Sequence, residues 1–187
     1  MRKRHVLQIG AFLTLAAFAT LAANPPAVRV ANFSQVDEYV FRGAAPSAKG
    51  LEDLRALHIS IDLDLREPGE AETAERAEAE RLGMQYINIP MKPFSAPTND
   101  QIRSALAVLL SASTHSQRVF VHCRRGKDRT GTVIACYRIQ HDGWTNRQAL
   151  EEARKHGISV VERGMRSYIL HFQPVSVPVS SPVTAVR

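Results

Sequence analysis

Apolar and polar residues alternate along ISIDLDLRE, where Ile59, Ile61, Leu63 and Leu65 are separated by Ser60, Asp62 and Asp64. That period of two predicts a strand. Just upstream, Leu51, Leu54 and Leu57 in SAKGLEDLRALH fall at helical spacing, with Ser47 placed as the N-cap. The two periods then keep trading places. VRVANFSQVDEYVFRGAAP predicts two short strands around a turn, closing on Pro46, and PGEAETAERAEAERLG predicts a helix to Leu82 with Gly83 as a left-handed C-cap. MQYINIPM reads as a strand, KPFSAPTND as a loop, and QIRSALAVLL as a helix capped by Asn99 or Thr98. QRVFVHC is a short apolar strand, and TGTVIACYRIQHDG is a helix stopped by Gly143. Thr145 and Gln148 form a capping box for a helix that stops at Gly157, and a last helix covers Glu162 to Phe172. Strands alternating with helices predict an α/β fold: a single domain with a mostly parallel central sheet of about four to five strands flanked by helices.

Both chain ends break these periods. From Val6 to Ala23 the residues are apolar except for Gln8 and two threonines, with MRKRH before them and Asn24-Pro25-Pro26 after. This is the form of a secretory signal, with cleavage expected after Ala22 or Ala23. The run also reaches the lower limit of a membrane span, so an uncleaved anchor is the alternative. Either way the domain is expected outside the cytoplasm, periplasmic or secreted, touching the membrane only through an uncleaved N-terminus. QPVSVPVSSPVTAVR has no period and predicts a disordered tail over residues 174–187, leaving residues 28–173 as the folded domain.

Composition narrows the class. A chain of 187 residues, 44% hydrophobic and 22% charged, fits one soluble domain, expected to be a monomer. Arg2, Lys3 and Arg4 supply half of the formal charge of +6, and much of the rest gathers at Arg124, Arg125, Lys127 and Arg129. Cations gathered in one loop suit a small anionic ligand, and no recognisable reading helix supports a nucleic-acid partner. The two cysteines, Cys123 and Cys136, are separated by a predicted helix whose rise carries them beyond disulfide reach, so both are expected to be free.

The chemistry concentrates in HCRRGKDRTG, residues 122–131, between a strand end and a helix start. Open α/β sheets bind ligands there, and a helix N-terminus offers unpaired N–H groups and a positive dipole end. Gly126 lets the backbone curl so that the N–H groups from Arg124 to Arg129, passing Lys127 and Asp128, converge on a tetrahedral oxyanion. Cys123 at the base of this cradle is expected to ionise near neutral pH and act as a nucleophile. Arg129 can hold two equatorial phosphate oxygens, Thr130 can offer its hydroxyl to the departing sulfur, and His122 can order the loop from behind. A Walker A loop fails because Gly126-Lys127 is followed by Asp128. No metal is expected, since His122 and Cys123 are adjacent with no second pair at ligand spacing, and no cofactor is implied. A sulfurtransferase and a non-catalytic phosphate-binding module remain the rival readings.

His122-Cys123, five residues, then Arg129-Thr130-Gly131 resembles the signature of the cysteine-dependent protein tyrosine phosphatase superfamily. YVFRGAAPSAKGLEDLRALHISIDLDLRE is similar to the N-terminal part of the atypical dual-specificity phosphatases of plants, fungi and bacteria, and the likeness runs from about Phe33 to Gly157. The resemblance implies attack by Cys123, a phosphocysteine, and its hydrolysis by water, acting on a phosphorylated protein or a small anionic phosphate ester. It also implies an aspartate acid on the loop before the helix preceding the catalytic strand. Asp100 is the only carboxylate there, with Asp128 inside the signature as the alternative. GKDRTG is similar to loops of phosphatases that take phosphoinositides or inositol phosphates, which makes Arg124, Arg125 and Lys127 the reporters of substrate charge. Outside the signature, the glutamates of residues 70–82 are expected to form a solvated face. Asp62 and Asp64 are expected to be solvated or to brace a loop, and Arg66 to face the crevice or form a salt bridge.

Overall fold

The computed structural model describes residues 27–176. The segment Val6–Ala23 and the tail beyond residue 176 lie outside the described residues. The elements run β1 (Ser34–Gln35), β2 (Val40–Ala44), α1 (Ala48–Ala56), β3 (Ile59–Asp64), α2 (Glu70–Arg81), β4 (Gln85–Asn88), α3 (Asn99–Thr114), β5 (Arg118–Cys123), α4 (Asp128–His141), α5 (Asn146–Lys155) and α6 (Arg163–His171). They build one five-stranded sheet in the order β1-β2-β5-β3-β4, with β1 antiparallel and every other pair parallel. The catalytic-type strand β5 is therefore central. Its two neighbours, β2 and β3, bring their carboxyl ends to the same edge, where Ala44 pairs with Cys123 and Asp64 with His122.

Two cores form because the sheet is covered on both faces. Leu51, Leu54, Ala79 and Met84 pack with Phe41 and Phe120 on one side. On the other, Leu106, Leu109, Val133, Tyr137, Leu150 and Ile169 close over Val40, Leu63 and Val121. β5 holds both sheets of contact together: Val119, Phe120 and Val121 are completely buried.

Caps fall where side chains can satisfy backbone donors. Ser47 accepts from Gly50 N–H, and Thr98 and Thr145 each form a reciprocal capping box with Gln101 and Gln148. Gly83, Gly143 and Gly157 adopt φ of +72°, +68° and +88° at helix ends. Three expectations shift. The first strand shrinks to two residues, because Val28 and Val30 pack under the sheet instead of extending it. α4 starts at Asp128 rather than after Thr130, which places Asp128 and Arg129 in its first turn. Val175, expected in the disordered tail, donates its N–H to Gln140 Oε1 at 2.8 Å and packs on the core. Cys123 and Cys136 are both free and buried, as the helix between them requires.

Candidate active site

A cavity of about 600 Å³ opens at the carboxyl edge of the sheet, lined by Pro93, Phe94, Cys123, Arg124, Arg125, Asp128, Arg129, Glu162 and Met165. Four segments meet there: the end of β5, the first turn of α4, the turn after β4, and the start of α6.

The loop between β5 and α4 is held from below. Gly126 has φ +67°, and a Cβ on it would collide with the Gly43 carbonyl of β2, so only glycine fits. Its carbonyl oxygen accepts from Arg42 Nη2 at 2.9 Å and from Asn32 Nδ2 at 2.8 Å. Arg42 is fully buried, and burial pulls its pKa down to about 10, still charged at neutral pH. A buried guanidinium gripping the apex carbonyl leaves the opposite side of the loop, its N–H groups, free for a ligand.

Cys123 lies at the floor. Burial pushes its thiol up, but the Thr130 hydroxyl and N–H, the Arg129 charge and the Arg125 N–H outweigh it and hold the thiol below its ordinary range. The buried Thr130 hydroxyl has no partner of full hydrogen-bond geometry, so its bond to the sulfur is a loose one. Cys136 meets no such groups, and burial alone pushes it far up. Arg129 is aimed by two carbonyls, Met91 at 3.1 Å and Leu65 at 3.4 Å, which fix the guanidinium across the mouth.

Of the two aspartates offered for the acid, only Asp128 lines the cavity. Asp100 is exposed, paired with Arg103 at 2.6 Å, and absent from the cavity. The Thr98–Gln101 capping box starts α3 before it and turns its side chain outward. Asp128 does line the cavity, accepting from Ser159 N–H at 2.8 Å and Arg125 Nη2 at 3.0 Å. Glu162, read from sequence only as a helix start, is the second cavity carboxyl, and burial and then Asp128 raise its pKa. Of the three residues expected to report substrate charge, Arg124 and Arg125 line the cavity. Lys127 does not, because its stem lies against Gly157.

His122 does not order the loop through its ring. The imidazole is completely buried behind the cysteine, with Nε2 at 2.9 Å from Glu75 and 3.2 Å from Asp62. Burial favours its neutral form, yet Asp62 and Glu75 carry the pKa up to about 10. Glu75 corrects the solvated-face expectation for α2, and Asp62 and Asp64 are buried rather than solvated. Arg66 joins them as a salt bridge, 2.8 Å from Asp64 and 2.9 Å from Glu75, and not as a cavity residue. Asp62, Glu75 and His122 are the one grouping of metal-ligand type among the described residues. Both carboxylates stand within ion-pair distance of the same ring nitrogen, Nε2, without hydrogen-bond geometry to it. Glu75 was hidden because one inward residue in a glutamate-rich helix leaves no periodic mark, and Arg42 because a buried arginine is improbable from composition.

The family described as DSP-PTPase phosphatase fused to NAD+ kinase matches residues 19–167. Inositol diphosphatase DSP3 of Arabidopsis thaliana is 30% identical over 150 residues, covering 78% of this chain and 72% of that protein. Dual specificity protein phosphatase TpbA of Pseudomonas aeruginosa is 30% identical over 162 residues, covering 80% and 69%. The chain spans 65% of phosphatidylglycerophosphate phosphatase PTPMT2 of A. thaliana and 49% of inositol diphosphatase DSP1 of Oryza sativa. Among solved structures, P. aeruginosa TpbA in complex with pTyr aligns with a TM-score of 0.64 at 23% identity, covering 79% of this chain and 86% of that one. The catalytic core of the S. cerevisiae PP-IP phosphatase SIW14 aligns at 0.65 and 24%, covering 76% and 85%. These two likenesses concern the fold.

Proposed function

Since the chain belongs to the DSP-PTPase phosphatases, cysteine-dependent hydrolases of phosphate monoesters, we propose that it cleaves single phosphate monoesters, phosphotyrosine among them, with Asp128 as the proton donor. The Cys123 thiolate attacks phosphorus while the bond to the leaving oxygen breaks and Asp128 gives that oxygen its proton. Arg129 and the loop N–H groups hold the three equatorial oxygens through the transfer. Water then attacks the phosphocysteine, Asp128 takes a proton from it, and the sulfur leaves toward the Thr130 hydroxyl. Inorganic phosphate is the product.

The observation that carries the substrate reading is the pairing of charges in the cavity. Arg125 is bound to Asp128, Lys127 points elsewhere, and Glu162 adds a second carboxyl. What remains suits one phosphate rather than a polyphosphate, and Phe94, Pro93 and Met165 offer an apolar wall for an aryl leaving group. The inositol diphosphatase relatives favour a second reading, in which exposed Arg124 contacts a further phosphate of an inositol ligand. The Val6–Ala23 segment supports placement outside the cytoplasm.

The test is turnover of p-nitrophenyl phosphate by the purified chain, with Cys123→Ser and Arg129→Ala as controls. Turnover lost in both variants is expected, and turnover retained by Cys123→Ser would falsify the phosphocysteine route. Phosphotyrosine peptides should then be cleaved faster than diphosphoinositol phosphates. The opposite order selects the inositol reading.

A further inference from the structure

Large apolar side chains that remain exposed are few among the described residues: Phe94 at 75%, Val160 at 74%, Val161 at 68% and Leu170 at 42%. The first three fall in the two chain segments that border the cavity beside the signature loop. Phe94 lines the cavity, and Val160 and Val161 directly precede Glu162, which lines it too and faces the Phe94 N–H. Gly164 comes so close to Ala96 that a Cβ would sit 3.0 Å from the Ala96 nitrogen. The turn after β4 and the start of α6 are therefore packed edge to edge as one rim. Phe94 holds φ +59°, a conformation an aromatic residue adopts at a cost, and its ring projects into solvent from there. Single exposed apolar residues need no explanation, but three on one rim mark a contact surface.

Charge says what the rim meets. Lys92, Arg124 and Arg163 are exposed around it, while the only carboxylates in residues 89–98, 123–129 and 156–166, Asp128 (paired with Arg125) and Glu162, are buried. We propose that the rim docks on an anionic lipid surface, with Phe94, Val160 and Val161 entering the interface, the cations at headgroup level, and the cavity facing a phosphate ester borne by the membrane. An apolar tip ringed by cations is the complement of such an interface. A phosphoprotein would use the cations alone and leave the valines without a role. Docking rests on the phosphatase reading only for what is delivered to Cys123.

The experiment uses the full chain carrying Cys123→Ser and Val161→Cys, labelled at residue 161 with an environment-sensitive fluorophore, so that a signal reports this rim and not the N-terminal segment. With phosphatidylcholine vesicles containing phosphatidylglycerol the emission should shift to the blue, and the shift should weaken with salt. A label at Leu170→Cys should not shift. A residue-161 label that stays in water while the protein is on the vesicles overturns the proposal and leaves the rim to a protein partner. An equal shift with phosphatidylcholine alone overturns its electrostatic half. In the active chain, Val160→Asp/Val161→Asp should leave p-nitrophenyl phosphate turnover unchanged and slow hydrolysis of vesicle-borne phosphatidic acid by about tenfold or more. A wild type inactive on p-nitrophenyl phosphate would sink the phosphatase reading and leave the fluorescence result standing.

Discussion

Asp128 Oδ1 accepts a 2.8 Å hydrogen bond from the backbone N–H of Ser159, tying the first turn of α4 to the connection before α6. That bond, with Arg125 on the other oxygen, fixes a carboxyl on the wall of the cavity that holds Cys123. A proton donor needs such fixed aim, because transfer depends on hydrogen-bond reach of the leaving oxygen. Asp128→Asn is expected to lower kcat about a hundredfold for phenyl phosphate and less for p-nitrophenyl phosphate, whose leaving oxygen needs less protonation. Asp100→Asn should change neither. Paired steady-state assays on the two substrates decide between the carboxylates.

Thr130 is set against the nucleophile. Its hydroxyl and N–H are the foremost groups holding the Cys123 thiol below its ordinary range against burial. Removing the hydroxyl with Thr130→Ala should move the midpoint of Cys123 alkylation by iodoacetamide to higher pH and leave less thiolate at neutral pH. The acid limb of kcat/KM should move upward with it. Cys136 should stay unlabelled until the chain is unfolded, since burial alone pushes its thiol up.

Gly126 tolerates no side chain. Its φ of +67° and the Gly43 carbonyl beneath it both oppose a Cβ. Gly126→Ala should destabilise the fold by about 2–4 kcal/mol and abolish turnover, as read by thermal unfolding and p-nitrophenyl phosphate. Arg42→Met removes one of the two side-chain donors to the Gly126 carbonyl, so it should cost activity through loop geometry even where the chain remains folded.

The parts legible in the sequence are those written in local pattern. Alternation in Ile59–Leu65, the capping pairs Thr98/Gln101 and Thr145/Gln148, and the spacing from Cys123 to Arg129 each depend on neighbours along the chain. What was hidden depends on neighbours across space. Glu75 looks like any solvated glutamate until the fold brings α2 near enough for it to reach His122 of β5, and Arg42 meets Gly126 only because β2 pairs with β5. Asp100 has the expected place in the loop order, but its exposed side chain pairs with Arg103 and stays off the cavity wall, which the loop order alone does not show. Glu162 reaches the cavity through the approach of α6 to the turn after β4, a contact no spacing announces.

The last prediction concerns the buried charges behind the cysteine. Burial should keep His122 neutral, but Asp62 at 3.2 Å and Glu75 at 2.9 Å hold its pKa up at about 10 against 6.5 in the unfolded chain. Glu75 is itself raised above 4.5, by burial first. Both groups therefore bind their protons more tightly folded than unfolded. By linkage, each makes stability fall as pH rises. The Glu75 contribution is complete below 4.5 and fades above it, whereas that of His122 is complete below 6.5 and is lost as pH climbs through about 10. Urea midpoints should decline steadily from mildly acidic to alkaline pH. Asp62→Asn removes the foremost attraction on the imidazolium, so its curve should lie lower and flatten above neutrality, where His122 no longer carries an extra proton in the folded state. Glu75→Gln should remove the acidic part of the slope. A wild-type midpoint that holds constant across this range would mean that His122 is neutral in the fold and would overturn the charged reading of the cluster.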